Sequence, residues 1–179
     1  MNLLPEIRGT AKIRSEPEAF LKSFRRRVAS GLLTGKPNQR SNYVVTASNE
    51  RRMSVRAGDT WSAISVGLNE LDLESAGDGI LRYRVRYWRW TLYCVALGAV
   101  LGGIGISLLL AFDVRSYMTA APGRMIPGLS VELNLVLLWA FVLFWGFAWP
   151  WILVALHRRP LHSLVQRLVA AVDESRSAF

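Results

Sequence analysis

Hydrophobic and polar residues change their spacing several times along this chain. From Ile7 to Arg14 they alternate, with Ile7, Ala11 and Ile13 on one side and Arg8, Thr10, Lys12 and Arg14 on the other, which is the period of a strand. From Phe20 the interval lengthens to three and four residues through Phe20, Leu21, Phe24, Val28 and Leu32. This predicts an amphipathic helix that starts at the capping-box pattern Ser15-Glu16-Pro17-Glu18 and ends at Gly31 or Gly35. A polar loop follows at Lys36–Ser41, and then Asn42–Ala47 and Arg51–Ala57 read as strands joined by a turn around Ser48-Asn49. Thr60–Val66 continues the alternation as a further strand, extending through Leu73 with an irregularity at Gly67, and Ala76-Gly77-Asp78-Gly79 is a strong hairpin signal. The last strand, Ile80–Tyr87, is the most regular: Leu81, Tyr83, Val85 and Tyr87 occupy one face, and Arg82, Arg84 and Arg86 the other. Residues 1–90 therefore predict a small α+β domain, one capped helix on an antiparallel sheet of about five strands.

Beyond this point the alternation gives way to continuous apolarity. Thr91–Phe112 and Leu133–Leu156 contain no Asp, Glu, Lys or Arg. At a helical rise of ~1.5 Å per residue each exceeds the ~30 Å hydrocarbon core of a bilayer. They predict a transmembrane helical hairpin, with spans at 91–112 and 133–156 joined by an external loop at 113–132. The alternative, a soluble protein with two buried core helices, asks a chain of 179 residues to enclose both runs. The final segment, 157–179, places Leu161, Leu164, Val165, Leu168 and Val172 on one face, which predicts a short amphipathic helix lying on the membrane or packed on the sheet.

Charge then gives the predicted hairpin a direction. Arg82, Arg84, Arg86 and Arg89 precede the first span and Arg158, Arg159 and Arg167 follow the second, whereas the loop carries only Arg115 and Arg124. By the positive-inside rule both termini are expected in the cytoplasm, in a bacterial-type inner or plasma membrane. Tyr87, Trp88, Trp90 and Tyr93 at one border and Trp149 and Trp151 at the other are the expected interfacial aromatics. Residues 1–90 hold 16 Lys and Arg against 9 Asp and Glu, so +7 of the chain's +9 falls in the domain. Membrane lipids are the expected partners, with Arg82, Arg84, Arg86, Arg89, Arg158 and Arg159 as candidate headgroup contacts. Tethering and topology account for much of the basic excess, which disfavours nucleic acid.

Within the spans, Gly98 and Gly102 have the GxxxG spacing that lets helix backbones approach. Their partner is either the second span, whose large rings surround Gly146 and Pro150, or the first span of another copy in a homo-oligomer. Pro150 is expected to kink its helix. Cys94 stands alone, so no intrachain disulfide forms.

Chemistry is the weakest signal. The sequence has no G-x-S-x-G, Walker or H-E-x-x-H motif, and His157 and His162 lack neighbouring ligands at metal spacing. Glu70, Asp72 and Glu74 read as a solvated strand face. Neither metal nor cofactor is expected, and no enzymatic activity. With His157 at a border and Asn134 the only amide in the spans, an ion-coupled carrier is disfavoured. In element order alone the chain resembles helix-grip domains, whose sheet wraps a C-terminal helix around an apolar cavity, although here the hairpin interrupts that order. The leading expectation is a non-enzymatic, membrane-anchored module that engages a protein partner or anionic lipid. The alternatives are a carrier or sensor of an apolar ligand, which the resemblance implies, and an accessory subunit of a larger channel or transporter.

Overall fold

The computed structural model describes residues 5–33 and 43–177; the Lys36–Ser41 loop, the first residue of the strand expected from Asn42, Gly35 and the last two residues lie outside them. The chain forms two compact units, one from residues 1–92 with 156–179 and the other from 93–155.

The first unit is built on a five-stranded antiparallel sheet, β1 (Glu6–Lys12), β2 (Tyr43–Ser48), β3 (Arg52–Ala57), β4 (Glu70–Gly77) and β5 (Ile80–Arg86), in the order β1-β5-β4-β3-β2. The β4–β5 hairpin forms where its glycines predicted it. Asp78 and Gly79 have φ of 49° and 70°, the left-handed pair of a tight hairpin turn, and the register shifts between Ser75 and Gly77. Alternation then sorts the faces: Met53, Val55, Leu71, Leu73, Leu81, Tyr83 and Val85 are buried on one side.

Two helices cover that face. Helix α1 (Pro17–Gly31) buries Phe20, Leu21, Phe24 and Val28. Its expected capping box does not form. Glu16 is the N-cap and makes no side-chain cap bond, Pro17 opens the helix, and the Ser15 hydroxyl donates instead to Asp173. The second cover is the far half of α6 (Trp149–Ser177), where Leu161, Val165, Leu168, Val169 and Val172 are buried. The expectation of a separate short C-terminal helix is thus corrected: α6 runs without interruption from Trp149 through Pro160 to Ser177, at the cost of the hydrogen bond Pro160 cannot donate. Asp173 closes this layer by accepting from the amides of Arg14 (2.8 Å) and Ser15 (3.1 Å). Burial works to raise its pKa, but these bonds, the Ser15 hydroxyl and the Arg14 charge hold it below the usual carboxylate range.

A second correction concerns Thr60–Val66, which is helix α2 and not a strand. Asp59 accepts from the Ser62 amide at 2.6 Å, and Gly67, at φ 77°, ends the helix in the left-handed region.

The second unit contains most of two long apolar helices. The first is α3 (Trp88–Ala111); the second begins as α5 (Val131–Leu143), passes through a π-helical turn at Phe144–Ala148 and continues into α6. Both are long and apolar enough to cross a membrane, and their most apolar stretches are only 11% buried. Between them lie α4 (Val114–Thr119), capped by Asp113, and a 3-10 turn at Pro122–Arg124. Asn134, 5% exposed, ties this connection to α5: it accepts from the Ile126 amide and donates to the Ser130 carbonyl, both at 2.9 Å.

Candidate functional site

Some of the residues expected to meet lipid, among them Arg86, Tyr87, Trp88, Arg89, Trp90 and Arg158, lie at one end of the sheet unit, where the chain leaves β5 for α3 and where the domain half of α6 starts. Strand register defines that end. Glu6, Glu70 and Arg86 are paired across β1, β4 and β5 there, whereas the turns at Asn49 and Asp78 lie at the opposite end. Trp90 stacks on His157 with ring centroids 4.0 Å apart, and Tyr87 meets the same ring edge-on at 5.8 Å. Arg158 Nε donates to the Tyr87 hydroxyl at 3.0 Å. His157 also lies against the Cα of Gly67, where a β-carbon would collide with its ring. Its Nε2 is enclosed without a hydrogen-bond partner among the described residues.

Asn69 holds this end together from inside. It is 2% exposed; its side chain accepts from the Arg89 amide at 2.9 Å and donates to the Ala63 carbonyl at 3.5 Å, and its backbone pairs with Ala57 and Arg86. One buried amide thereby links α2, β3, β5 and the first turn of α3. Sequence reasoning passed over it. The available signal was a polar residue inside Gly67-Leu68-Asn69-Glu70-Leu71, where a buried amide must find partners for both donor and acceptor.

Arg82, Arg84 and Arg86 do point away from the helices, but two of them are engaged. Arg84 pairs with Glu6 at 2.5 Å and Arg86 with Glu70 at 2.8 Å; Glu6 also holds Arg8, Glu70 faces Arg56 at 3.9 Å, and Glu74 pairs with Arg52. Glu6 titrates below the usual carboxylate range: burial acts against this, and hydrogen bonds from Arg84 and Arg8 outweigh it. Arg82 is exposed and has no ion pair among the described residues. The row also runs away from the chain's exit, with Arg82 four strand residues beyond Arg86, ~13 Å along the strand. Glu70 and Glu74 are partners of arginines, and Asp72 accepts from Ser54 at 2.7 Å. Among the described residues no group of three or more His, Cys, Asp or Glu is placed to hold a metal. His162 shares a hydrogen bond with the Tyr83 hydroxyl, at 2.7 Å from Nδ1, beneath the sheet. Burial pushes the Tyr83 phenol pKa up.

In the second unit Gly98, Gly102 and Gly146 meet. A β-carbon on Gly146 would lie 2.5 Å from the Cα of Gly102, and one on Gly98 would collide with Pro150 and lie 2.6 Å from the Gly146 carbonyl oxygen. That oxygen is the one Pro150 cannot serve as an i→i+4 donor. A Gly98 hydrogen points at it instead, the geometry of a Cα–H···O contact. The missing amide hydrogen also explains the wide turn just before Pro150, where Trp149 donates back to the Phe144 carbonyl. Trp149 packs on Trp145 at 4.9 Å, while Trp151 is exposed and Tyr93 half-exposed at 45%. Comparison with protein-family models, with characterised proteins and with solved structures finds no match.

Proposed function

We propose that this protein is a non-enzymatic integral membrane module, in which a helical hairpin anchors the basic α+β unit at the cytoplasmic face and that unit engages anionic lipid or a protein partner. The observation that carries the reading is the outward apolarity of the hairpin. Leu101, Leu108, Leu110, Phe112 and Phe141 are all more than half exposed, a surface that water disfavours and lipid accepts. Arg89 lies in the first turn of α3 and Arg158 and Arg159 follow the apolar stretch of α6 in sequence, cations of the kind that anionic headgroups attract. The inner face of the sheet is filled by Phe20, Phe24, Leu161 and Val165, each at most 1% exposed, which favours an anchored module over a carrier with an apolar cavity.

Two measurements test this. Cysteine accessibility in right-side-out vesicles is expected to label position 123 from outside and position 51 only after permeabilisation; the reverse pattern overturns the orientation. Mass spectrometry of the gently extracted protein is expected to find anionic lipid retained, and Arg89→Gln, Arg158→Gln and Arg159→Gln together to release it. Retention unchanged in the triple variant removes these arginines as headgroup contacts.

A further inference from the structure

Among the described residues Trp61 is the most exposed large apolar side chain, at 75%, and it belongs to neither apolar helix. It lies on α2, where Trp61 and Ser65 face outward beside the half-buried Ile64, while Ser62 and Ala63 turn inward. The helix is fixed and not dangling. Asp59 caps it, Gly67 ends it against the His157 ring, the Ala63 carbonyl accepts from Asn69, and the same Asn69 accepts from the Arg89 amide in the first turn of α3. Hence α2 is tied both to the first turn of α3, through Asn69, and to His157 of α6, through Gly67.

We infer that α2 docks on the bilayer surface, with Trp61 inserted at headgroup depth as a third point of attachment beside the two helices. This inference rests on the membrane reading above. Three observations commit the surface to lipid. The end of α2 at Gly67 lies against His157, which stacks on Trp90, and these rings carry the amphipathic chemistry of an interfacial belt. Arg89, which lies 5.3 Å over the Trp88 ring, is linked to α2 through Asn69, and Arg158 follows the His157 that Gly67 abuts, so cations complementary to anionic headgroups share this end of the unit. The acid nearest in sequence, Asp59, is held by the amide and hydroxyl of Ser62 as a helix cap. A single ring on a short rigid helix lies in an interface with little conformational cost, because the fold has already ordered its backbone.

The test uses the full chain, with Cys94→Ala, in vesicles of phosphatidylcholine and phosphatidylglycerol, carrying an environment-sensitive fluorophore at one introduced cysteine. Ser65→Cys reports on α2, Ser48→Cys on the opposite end of the sheet and Leu101→Cys on α3; all three positions are exposed. Nitroxide lipids spin-labelled at the headgroup or deep in the acyl chain serve as quenchers. The label at 65 is expected to be quenched by the headgroup nitroxide several-fold more than the label at 48. Trp61→Ser should bring it down to that level, and Trp61→Phe should largely restore it. The label at 101 is expected to respond to the deep nitroxide. Equal quenching at 65 and 48, with 101 still quenched deeply, overturns the docking of α2 and leaves the membrane reading standing; shielding of position 65 from aqueous iodide without lipid quenching assigns the surface to a protein contact and overturns it likewise. No deep quenching at 101 overturns the membrane reading and the inference with it. Unchanged quenching at 65 in Trp61→Ser removes Trp61 as the anchor.

Discussion

The two units place their large and small residues in opposite positions. In the sheet unit the bulky side chains Phe20, Phe24, Leu71 and Leu81 are inside, and the outer face carries arginines paired with Glu6, Glu70 and Glu74. In the hairpin the buried positions of α3 are Gly98 and Gly102, while Leu101, Leu110, Phe112 and Phe141 look out. Each arrangement suits a different surrounding. Water drives apolar area inward, so a core grows from large side chains; hydrocarbon gives no such drive, and helices associate where small residues bring backbones into dispersion contact. A hairpin in lipid would therefore follow a different stability rule from the sheet unit, and each rule can be broken separately.

The largest expected effect comes from removing the far half of α6. Truncation after Arg159 strips Leu161, Val165, Leu168, Val169 and Val172 from the sheet. At ~1.5–3 kcal/mol for each buried apolar side chain, the loss is comparable with the whole stability of a typical domain. Hydrogen exchange should find the β4 and β5 amides unprotected, and retained protection would mean that α1 alone covers the sheet. Next in size, Leu101→Arg separates the two surroundings directly. Placed in lipid the arginine costs ~2.5–3.5 kcal/mol, whereas at an exposed position in water it is close to neutral. A membrane-insertion assay should read the penalty, and undiminished insertion would say that Leu101 does not face hydrocarbon.

Within the hairpin, Gly146→Leu should weaken the helix pair by about 1–3 kcal/mol through overpacking against Gly102, measured by steric trapping in bicelles. Gly103, with nothing within 4 Å of a β-carbon, is the matched control, and Gly103→Leu should change little. A smaller effect follows from Asp173. Because its pKa is lowered in the folded chain, its stabilisation is present above the usual carboxylate range and is lost as the pH falls through and below it. Acid titration of the unfolding midpoint should show this loss in the parent, and Asp173→Asn should flatten it. The smallest change is expected for Arg84→Gln, which removes one half-exposed ion pair worth ~0–1 kcal/mol, read as a minor shift in thermal midpoint.

What the sequence made legible depended on how strongly one environment imposed its period. Ile80–Tyr87 has one face buried and one in solvent, so its alternation was unambiguous; the two long helices, apolar all round, were equally plain. Thr60–Val66 misled because seven residues are too few to separate a helix from a strand by spacing, and Trp61 and Ala63 happen to alternate. The cap at Asp59 and the stop at Gly67 were the readable signals. Arg158-Arg159-Pro160 looked like a helix end, since proline lacks a donor, yet packing of Leu161 and Val165 on the sheet carries the helix past it. The pairing of Arg84 with Glu6 and the links made by Asn69 depend on strand register, which no single strand encodes.

The fold of the sheet unit also has a timetable. Its strands are complete by Arg86, but the helix that seals them ends beyond Val172, with both apolar helices synthesised in between. At ~5–20 residues per second the ribosome needs roughly 4–17 s to cover that interval, far longer than a sheet of this size needs to collapse. Throughout it the sheet lacks Leu161, Val165 and Val172 of α6, and the Tyr83 hydroxyl lacks His162. A newborn chain therefore carries an incompletely covered sheet between translating β5 and translating α6, and a chaperone that shelters the open sheet would act in that window.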